Sequence, residues 1–147
     1  MSNYVITYIT DDVILPKKEL LSAVFLIALK GSKILTIQNE RGWDIPGGHI
    51  EEGETPEEAL TREVQEEAGA VFPHAKLFAM LGSDDQDKYK DKVMLIYTTN
   101  NFTLGTFTPS EDAFNREVIE IKEFLERYKG IHSELTDLIS HALLIGN

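Results

Sequence analysis

Arg62, Glu63, Glu66 and Glu67 are the densest cluster of reactive side chains in the chain. On a helix, residues three and four apart share a face, so Glu63, Glu66 and Glu67 converge on one patch. Carboxylates held that close repel one another, and the repulsion grows where water is excluded. A hard divalent cation such as Mg²⁺ relieves it. Such an ion prefers oxygen ligands and, when bound by one or two carboxylates, keeps positions open for water and substrate phosphate; Mn²⁺ suits the same donors. The carbonyl of Gly47, in the pair Gly47-Gly48, is a further candidate ligand, and Arg62 is placed to orient a neighbouring Glu through charge-assisted hydrogen bonds. The same spacing also fits a solvated helix face, with Glu58 and Arg62 as an ordinary i,i+4 pair and the glycines as an ordinary turn.

A helix must carry these acids, and its two ends are marked. Thr55-Pro56-Glu57-Glu58 puts a hydroxyl at the N-cap, Pro at the first helical position and Glu at N3, which together make a capping box. Gly69 stands where a C′ glycine ends a helix. Leu60, Val64 and Ala68 form an apolar stripe about a quarter turn from the acids, so docking that stripe on a sheet leaves the carboxylates at the margin of the packed surface.

Around this helix the patterning predicts strands at 4–9, 21–29, 34–37, 75–81, 92–99 and 117–121, with Lys30-Gly31-Ser32 as a hairpin turn. The near-continuous apolar run 21–29 suits a strand buried on both faces. Residues 38–48 and 103–112 read as loops, 83–88 as a hydrophilic tip, and 122–128 and 133–144 as helices. The order of elements indicates one mixed α/β domain over 1–147, with one major helix on the sheet.

The segment beginning at Gly48 resembles the box of the Nudix hydrolases: Gly, five residues, Glu, seven residues, Arg-Glu, a bulky aliphatic, any residue, Glu-Glu, any residue, Gly and a bulky aliphatic. Gly48, Glu54, Arg62, Glu63, Val64, Glu66, Glu67 and Gly69 fill it; Ala70 is the single departure, and Val71 is expected to supply the missing hydrophobic contact. The seven single-residue requirements coincide by accident about once in ten million positions. Trp43-Asp44-Ile45-Pro46-Gly47 is similar to the family's usual lead-in. The resemblance implies an α/β/α sandwich with a mixed sheet and the box as loop-helix-loop. It also implies metal-facing roles for Glu63, Glu66, Glu67 and the Gly47 carbonyl, with Arg62 orienting Glu63 and Glu54 supporting the loop. A further acid from a later loop is implied, with Glu111 and Asp112 as candidates and Asp112 preferred. The reaction implied is Mg²⁺-dependent hydrolysis of a nucleoside diphosphate linked to another moiety, with Glu63 or Glu66 as the base.

Composition narrows the remaining possibilities. A net charge of −11 opposes an extended nucleic-acid surface, because that grip comes from Lys and Arg neutralising phosphates. Without cysteine there is no disulfide framework or thiolate metal site. With neither a signal-like N-terminus nor an apolar run of about 20 residues, a cytoplasmic protein with no membrane span is expected, as a monomer or homodimer. Arg41, beside the lead-in, is the candidate contact to substrate phosphate in preference to Lys88, Lys90 and Lys92. Trp43 is the candidate base-stacking ring among Trp43, Tyr89, Phe102, Phe107 and Phe114. His49, His74, His132 and His141 show no ligand spacing. The leading expectation is a hydrolase releasing a monophosphate and pyrophosphate from a nucleoside triphosphate. The alternatives are removal of pyrophosphate from the 5′ end of RNA and a non-catalytic nucleotide sensor. Residues 83–87 lack the Pro or Tyr that marks some branches acting on dinucleoside polyphosphates or nucleotide sugars.

Overall fold

The computed structural model describes residues 4–83 and 92–145. Its centre is the strand β2 (Leu21–Lys30), whose side chains alternate between two cores. Val24, Leu26 and Ala28 face one cluster, and Phe25, Ile27 and Leu29 face the other, as the period of two in a strand requires. That is why the sequence reads there as a near-continuous apolar run.

Through most of its length β2 runs parallel to β8 (Val93–Thr99), while its far end turns through Gly31 into an antiparallel hairpin with β3 (Lys33–Asn39). Gly31 has φ +62°, a left-handed conformation that glycine adopts without steric cost. β1 (Tyr4–Tyr8) and β7 (Lys76–Ser83) extend the sheet beyond β8, and β10 (Asn115–Glu120) closes the opposite edge, giving the order β1-β7-β8-β2-β3-β10. Two short strands join off this path. β4 (Gly42–Asp44) pairs with β3, and β5 (Gly47–His49) pairs with β2, so the sheet is mixed and has eight strands among the described residues.

Helix α1 (Pro56–Ala68) lies on one face and buries Ala59, Leu60, Val64 and Ala68. α2 (Ile121–Arg127) and α3 (His132–Ile145) cover the other, burying Phe124 and Leu135, Leu138, Ile139 and Ala142. The result is the expected α/β/α sandwich. No helix among the described residues is long and apolar enough to cross a membrane.

Four short strands differ from the sequence expectation. β4 and β5 occupy what reads as a loop at 38–48, and β6 (Ala70–Val71) pairs with β9 (Thr103–Leu104) in a separate two-stranded ribbon. Each has two or three residues, too few for a period to register; β5, β6 and β9 are defined by partners distant in the chain, and β4 by a tight turn back onto β3. Ile121 starts α2 instead of ending a strand. The expectation for Val71 is reversed: Ala70 is buried in the α1 core at 1% exposure, whereas Val71 is 54% exposed, so Ala70 itself fills the position after the helix. Lys88, Tyr89, Lys90 and most of the expected 83–88 tip lie outside the described residues.

Candidate active site

The capping box predicted at Thr55 forms. The Thr55 hydroxyl accepts from the Glu58 amide at 3.1 Å, and the Glu58 carboxylate accepts from the Thr55 amide at 2.9 Å. Gly69 ends the helix in the left-handed conformation, φ 60° and ψ 32°. With both ends fixed and one stripe docked, the rotation of α1 about its axis is set. It brings the Glu63 edge against the backbone of β5.

That approach requires glycine. A Cβ on Gly48 would lie 2.5 Å from Cδ of Glu63, and one on Gly47 would lie 2.2 Å from the Val24 carbonyl oxygen. The Gly47 amide donates to Oε1 of Glu67 at 2.9 Å. On the other side of the cluster, Arg62 spreads its guanidinium over four hydrogen-bond partners. Nε and Nη2 donate to the two oxygens of Glu54 at 2.7 and 3.0 Å, Nη1 to Glu63 at 2.9 Å and Glu66 at 3.3 Å, and Nη2 to the His49 carbonyl at 3.1 Å. Glu58 takes no part in this network, being committed to the cap. Arg62 therefore ties the loop before the helix, strand β5 and the acidic face into one unit. This is geometry suited to a planar fork and not to an ammonium.

The electrostatics follow from burial and crowding. The Glu67 carboxyl is pushed up to about 7, chiefly by burial, against the Gly47 amide that favours the charged form and with added repulsion from Glu63, Asp112 and Asp44. Glu63 is raised for the same first reason, in spite of Arg62. Glu54 is held down at about 2 by its hydrogen bonds from Arg62 and from the Glu51 amide. Asp112 repels both Glu63 and Glu67, so of the two later-loop acids it is the one whose charge reaches the cluster.

No three His, Asp or Glu side chains among the described residues converge tightly enough to hold a metal as they stand. The donor set nevertheless suits a hard divalent cation. Glu63, Glu66 and Glu67 each accept hydrogen bonds through one oxygen, leaving the second of each carboxylate unused among the described residues. Burial holds Glu63 and Glu67 above their ordinary titration range, a cost that a bound cation removes.

Across β2, on the face covered by α2 and α3, lies a cavity of about 210 Å³ with a mostly apolar lining that includes Phe25, Ile45, Ile96 and Leu135. Asp44, Tyr128 and Glu134 are its polar side chains. Burial raises Asp44, and the Tyr128 hydroxyl is pushed up to about 12 by burial and by the charges of Asp44 and Glu134. Asp44 also repels Glu67, so cavity and acids adjoin through the segment 44–47. A larger cleft, about 320 Å³, lies by His74, Lys76 and Asn101 and is lined by none of the acids.

The sequence candidates are thus distributed unevenly. Arg62, Glu63, Glu66, Glu67 and Gly47 come together, with Asp112 within reach of their charge. Arg41 is exposed at the β3–β4 turn, where its charge works against the burial that raises the Asp44 carboxyl. The Trp43 ring packs into the α3-side core with the Arg127 guanidinium 4.9 Å from its centroid. A base stacking on that face would displace Arg127. The sequence reading passed over Asp44, although it stands inside the lead-in to the box.

A family model described as the NUDIX domain matches residues 19–138. The chain belongs to the Nudix family. It is 48% identical over 46 residues to the 8-oxo-dGTP diphosphatase of Escherichia coli strain K12, covering 31% of this chain and 36% of that protein. It is 33% identical over 105 residues to the RNA pyrophosphohydrolase of Helicobacter pylori, covering 62% and 66%. The NUDIX domain of Shewanella oneidensis NrtR, crystallised with ADP ribose, matches with a TM-score of 0.68 at 20% identity over 86% of this chain and 90% of that one, a likeness of fold. The chain spans about half or less of the length of the 8-oxo-dGTP diphosphatases it matches: 36%, 49% and 42% in three of them.

Proposed function

We propose that this chain is a divalent-cation-dependent pyrophosphohydrolase that cleaves a diphosphate linkage in a nucleoside di- or triphosphate derivative. The observation that carries this reading is the complete set of box acids gathered by Arg62 and the Gly47 amide against β5, next to a cavity with apolar walls and a few polar groups. Glu63, Glu66, Glu67 and the Gly47 carbonyl would hold Mg²⁺ or Mn²⁺, with Asp112 as the acid from outside the box. A cation bound there neutralises charge on phosphate oxygens and makes a nearby water easier to deprotonate.

The chain's own residues supply the rest. Whichever of Glu63 and Glu66 keeps its free oxygen off the cation takes the proton of the attacking water there, as the water oxygen bonds to phosphorus and the bond from phosphorus to the leaving phosphate oxygen breaks. Arg62 keeps the two carboxylates in place during that transfer, and the Gly47 amide keeps Glu67 from swinging away. The cavity beside Asp44 seats the heterocycle. Its carboxylates and phenol favour a ring edge that donates hydrogen bonds, and Arg41, whose charge reaches Asp44, and Trp43, next to Asp44 in the chain, would be further contacts to the substrate.

The test is release of phosphate, pyrophosphate and nucleoside monophosphate from a panel of nucleotides with Mg²⁺ and with Mn²⁺. Turnover of at least one member, lost in Glu66→Gln, is expected. No turnover of any member, or turnover indifferent to Glu66→Gln, refutes the proposal. Tight nucleotide binding without cleavage would favour a sensor instead. The likeness to the Helicobacter pylori enzyme supports a second reading, action on the 5′ end of RNA. It predicts faster cleavage of a 5′-triphosphorylated oligonucleotide than of a free triphosphate. At a net charge of −11, only the terminus of the RNA would be gripped.

A further inference from the structure

Arg116, on β10, is a cation that the acidic chain does not spend on a carboxylate. Among the described residues it forms no ion pair. Its Nη1 donates instead to three neutral carbonyl oxygens: Ala68 at 2.8 Å, Gly105 at 2.9 Å and Gly69 at 3.4 Å. The guanidinium also lies 5.4 Å from the centroid of the Phe107 ring. Ala68 and Gly69 end α1, where carbonyls lack helical partners and the helix dipole favours a cation. Gly105 belongs to the loop that follows β9. One side chain thus fastens that loop to the C-terminal end of the helix carrying the acids.

The fastening is tight. The Gly105 amide donates to the Gly69 carbonyl at 2.7 Å, and a Cβ on Gly69 would meet the Thr106 carbonyl oxygen at 2.3 Å. Further along, Ala113 is fully buried in the α1-side core, the Ser110 hydroxyl accepts from the Asp112 and Ala113 amides, and the Phe114 amide donates to the Gln38 carbonyl. Between these two anchors stands Asp112, exposed at its side chain, with a charge felt at Glu63 and Glu67.

We propose that Arg116 is a positioning residue for Asp112: by clamping the Gly105 end of the loop to the last carbonyls of α1, it sets where Asp112 stands relative to Glu63 and Glu67. The inference rests on the reading of these acids as a divalent-cation site. Lysine at position 116 keeps the charge, but its shorter stem stops the ammonium short of the point from which Nη1 reaches the three carbonyls, and it lacks the flat guanidinium that lies against Phe107.

The experiment measures Mn²⁺ affinity by the electron paramagnetic resonance signal of free Mn²⁺, in the wild type, Asp112→Asn, Arg116→Lys and the double variant, with Glu67→Gln as reference. Asp112→Asn and Arg116→Lys are each expected to weaken binding by about tenfold. In the Asp112→Asn background, Arg116→Lys should add almost nothing, because its effect runs through Asp112. An unchanged affinity in Arg116→Lys, or an equal loss with and without Asp112, overturns the inference. If Glu67→Gln weakens binding and Asp112→Asn does not, the inference falls while the cation site stands. If neither does, both fall. Should Arg116→Lys fail to fold, Gly105→Ala serves in its place: its Cβ would lie 3.2 Å from the Gly69 carbonyl oxygen, easing the loop off the helix end with Arg116 intact. A smaller loss with the same dependence on Asp112 is then expected, and its absence overturns the inference.

Discussion

Replacing Gly48 with alanine tests the acid cluster with a single methyl group. The new Cβ would lie 2.5 Å from Cδ of Glu63 and 2.6 and 2.7 Å from its two oxygens, where ordinary contact begins at 3.4 Å. The Gly48 backbone needs no left-handed conformation, so strain at that residue is not the issue. The carboxylate must retreat by roughly 1 Å, and a displacement of that size at a reacting group costs about 100-fold in rate. Retreat also stretches the 2.9 Å bond from Arg62 to Glu63. Glu63 ends a flexible side chain, so the fold absorbs the change at about 1 to 2 kcal/mol. The expected result is therefore a loss of about 100-fold in kcat/KM for nucleotide hydrolysis, with weaker Mg²⁺ activation and a modest fall in Tm. Gly31→Ala is the control. It forces a side chain into φ +62° with nothing within 4 Å, and so costs about 1 kcal/mol of stability with kcat/KM unchanged. Gly48→Ala with activity within about threefold of wild type would refute the argument that Glu63 must lie against that glycine.

Four further expectations concern charge, geometry and packing. Because Glu67 titrates at about 7 in the folded protein against an ordinary 4.5, the native state binds more protons than the unfolded chain between those values, and stability falls as pH rises through that window. Tm measured in chelator should show this fall, Mg²⁺ should oppose it, and Glu67→Gln should reduce it; an identical slope in Glu67→Gln would count against the assignment. Glu54 works in the opposite sense: held at about 2, it contributes stability that is lost as pH drops below 4.5, a loss that Glu54→Gln should remove from an acid titration followed by circular dichroism. Arg62→Lys should lower kcat/KM by about 10- to 100-fold with Tm little changed, since a point charge cannot serve Glu54, Glu63 and Glu66 together; steady-state kinetics beside a melting curve will decide. Leu60→Ala, at 1% exposure beneath α1, should cost about 2 to 5 kcal/mol in urea unfolding.

The helix and its acids were legible because their determinants are local. The cap at Thr55, the stop at Gly69 and the spacing of Glu63, Glu66 and Glu67 all lie within one short segment. The two-faced burial of β2 was legible as an apolar run. What escaped depends on distant partners. Gly47 and Gly48 read as a turn, but they form a strand whose lack of side chains is dictated by the Val24 carbonyl and by Glu63. Arg116 meets Ala68 from 48 residues away, and no spacing rule predicts that bond. Asp44 acquires its interest from Tyr128 and Glu67, which only the folded sheet brings near. Ala70 departs from the family pattern in size alone, and the site it fills is an ordinary buried position in the α1 core.

Strand β2 has a consequence for any attempt to redesign the molecule. Phe25 lines the cavity, while its own Cα and ring edge lie 2.8 and 2.4 Å from where a side chain on Gly47 would begin. Its neighbour Val24 supplies the carbonyl on the same spot. The wall that sizes the cavity and the floor under Glu67 are therefore one piece of backbone, geared together. Enlarging or shrinking position 25 to admit a different ring moves the Gly47 amide, and with it the carboxylate it holds. Under the proposed function, selectivity and turnover are therefore not independent dials, and variants chosen for a new ligand at position 25 are expected to need a compensating change along 44–48 to recover their rate.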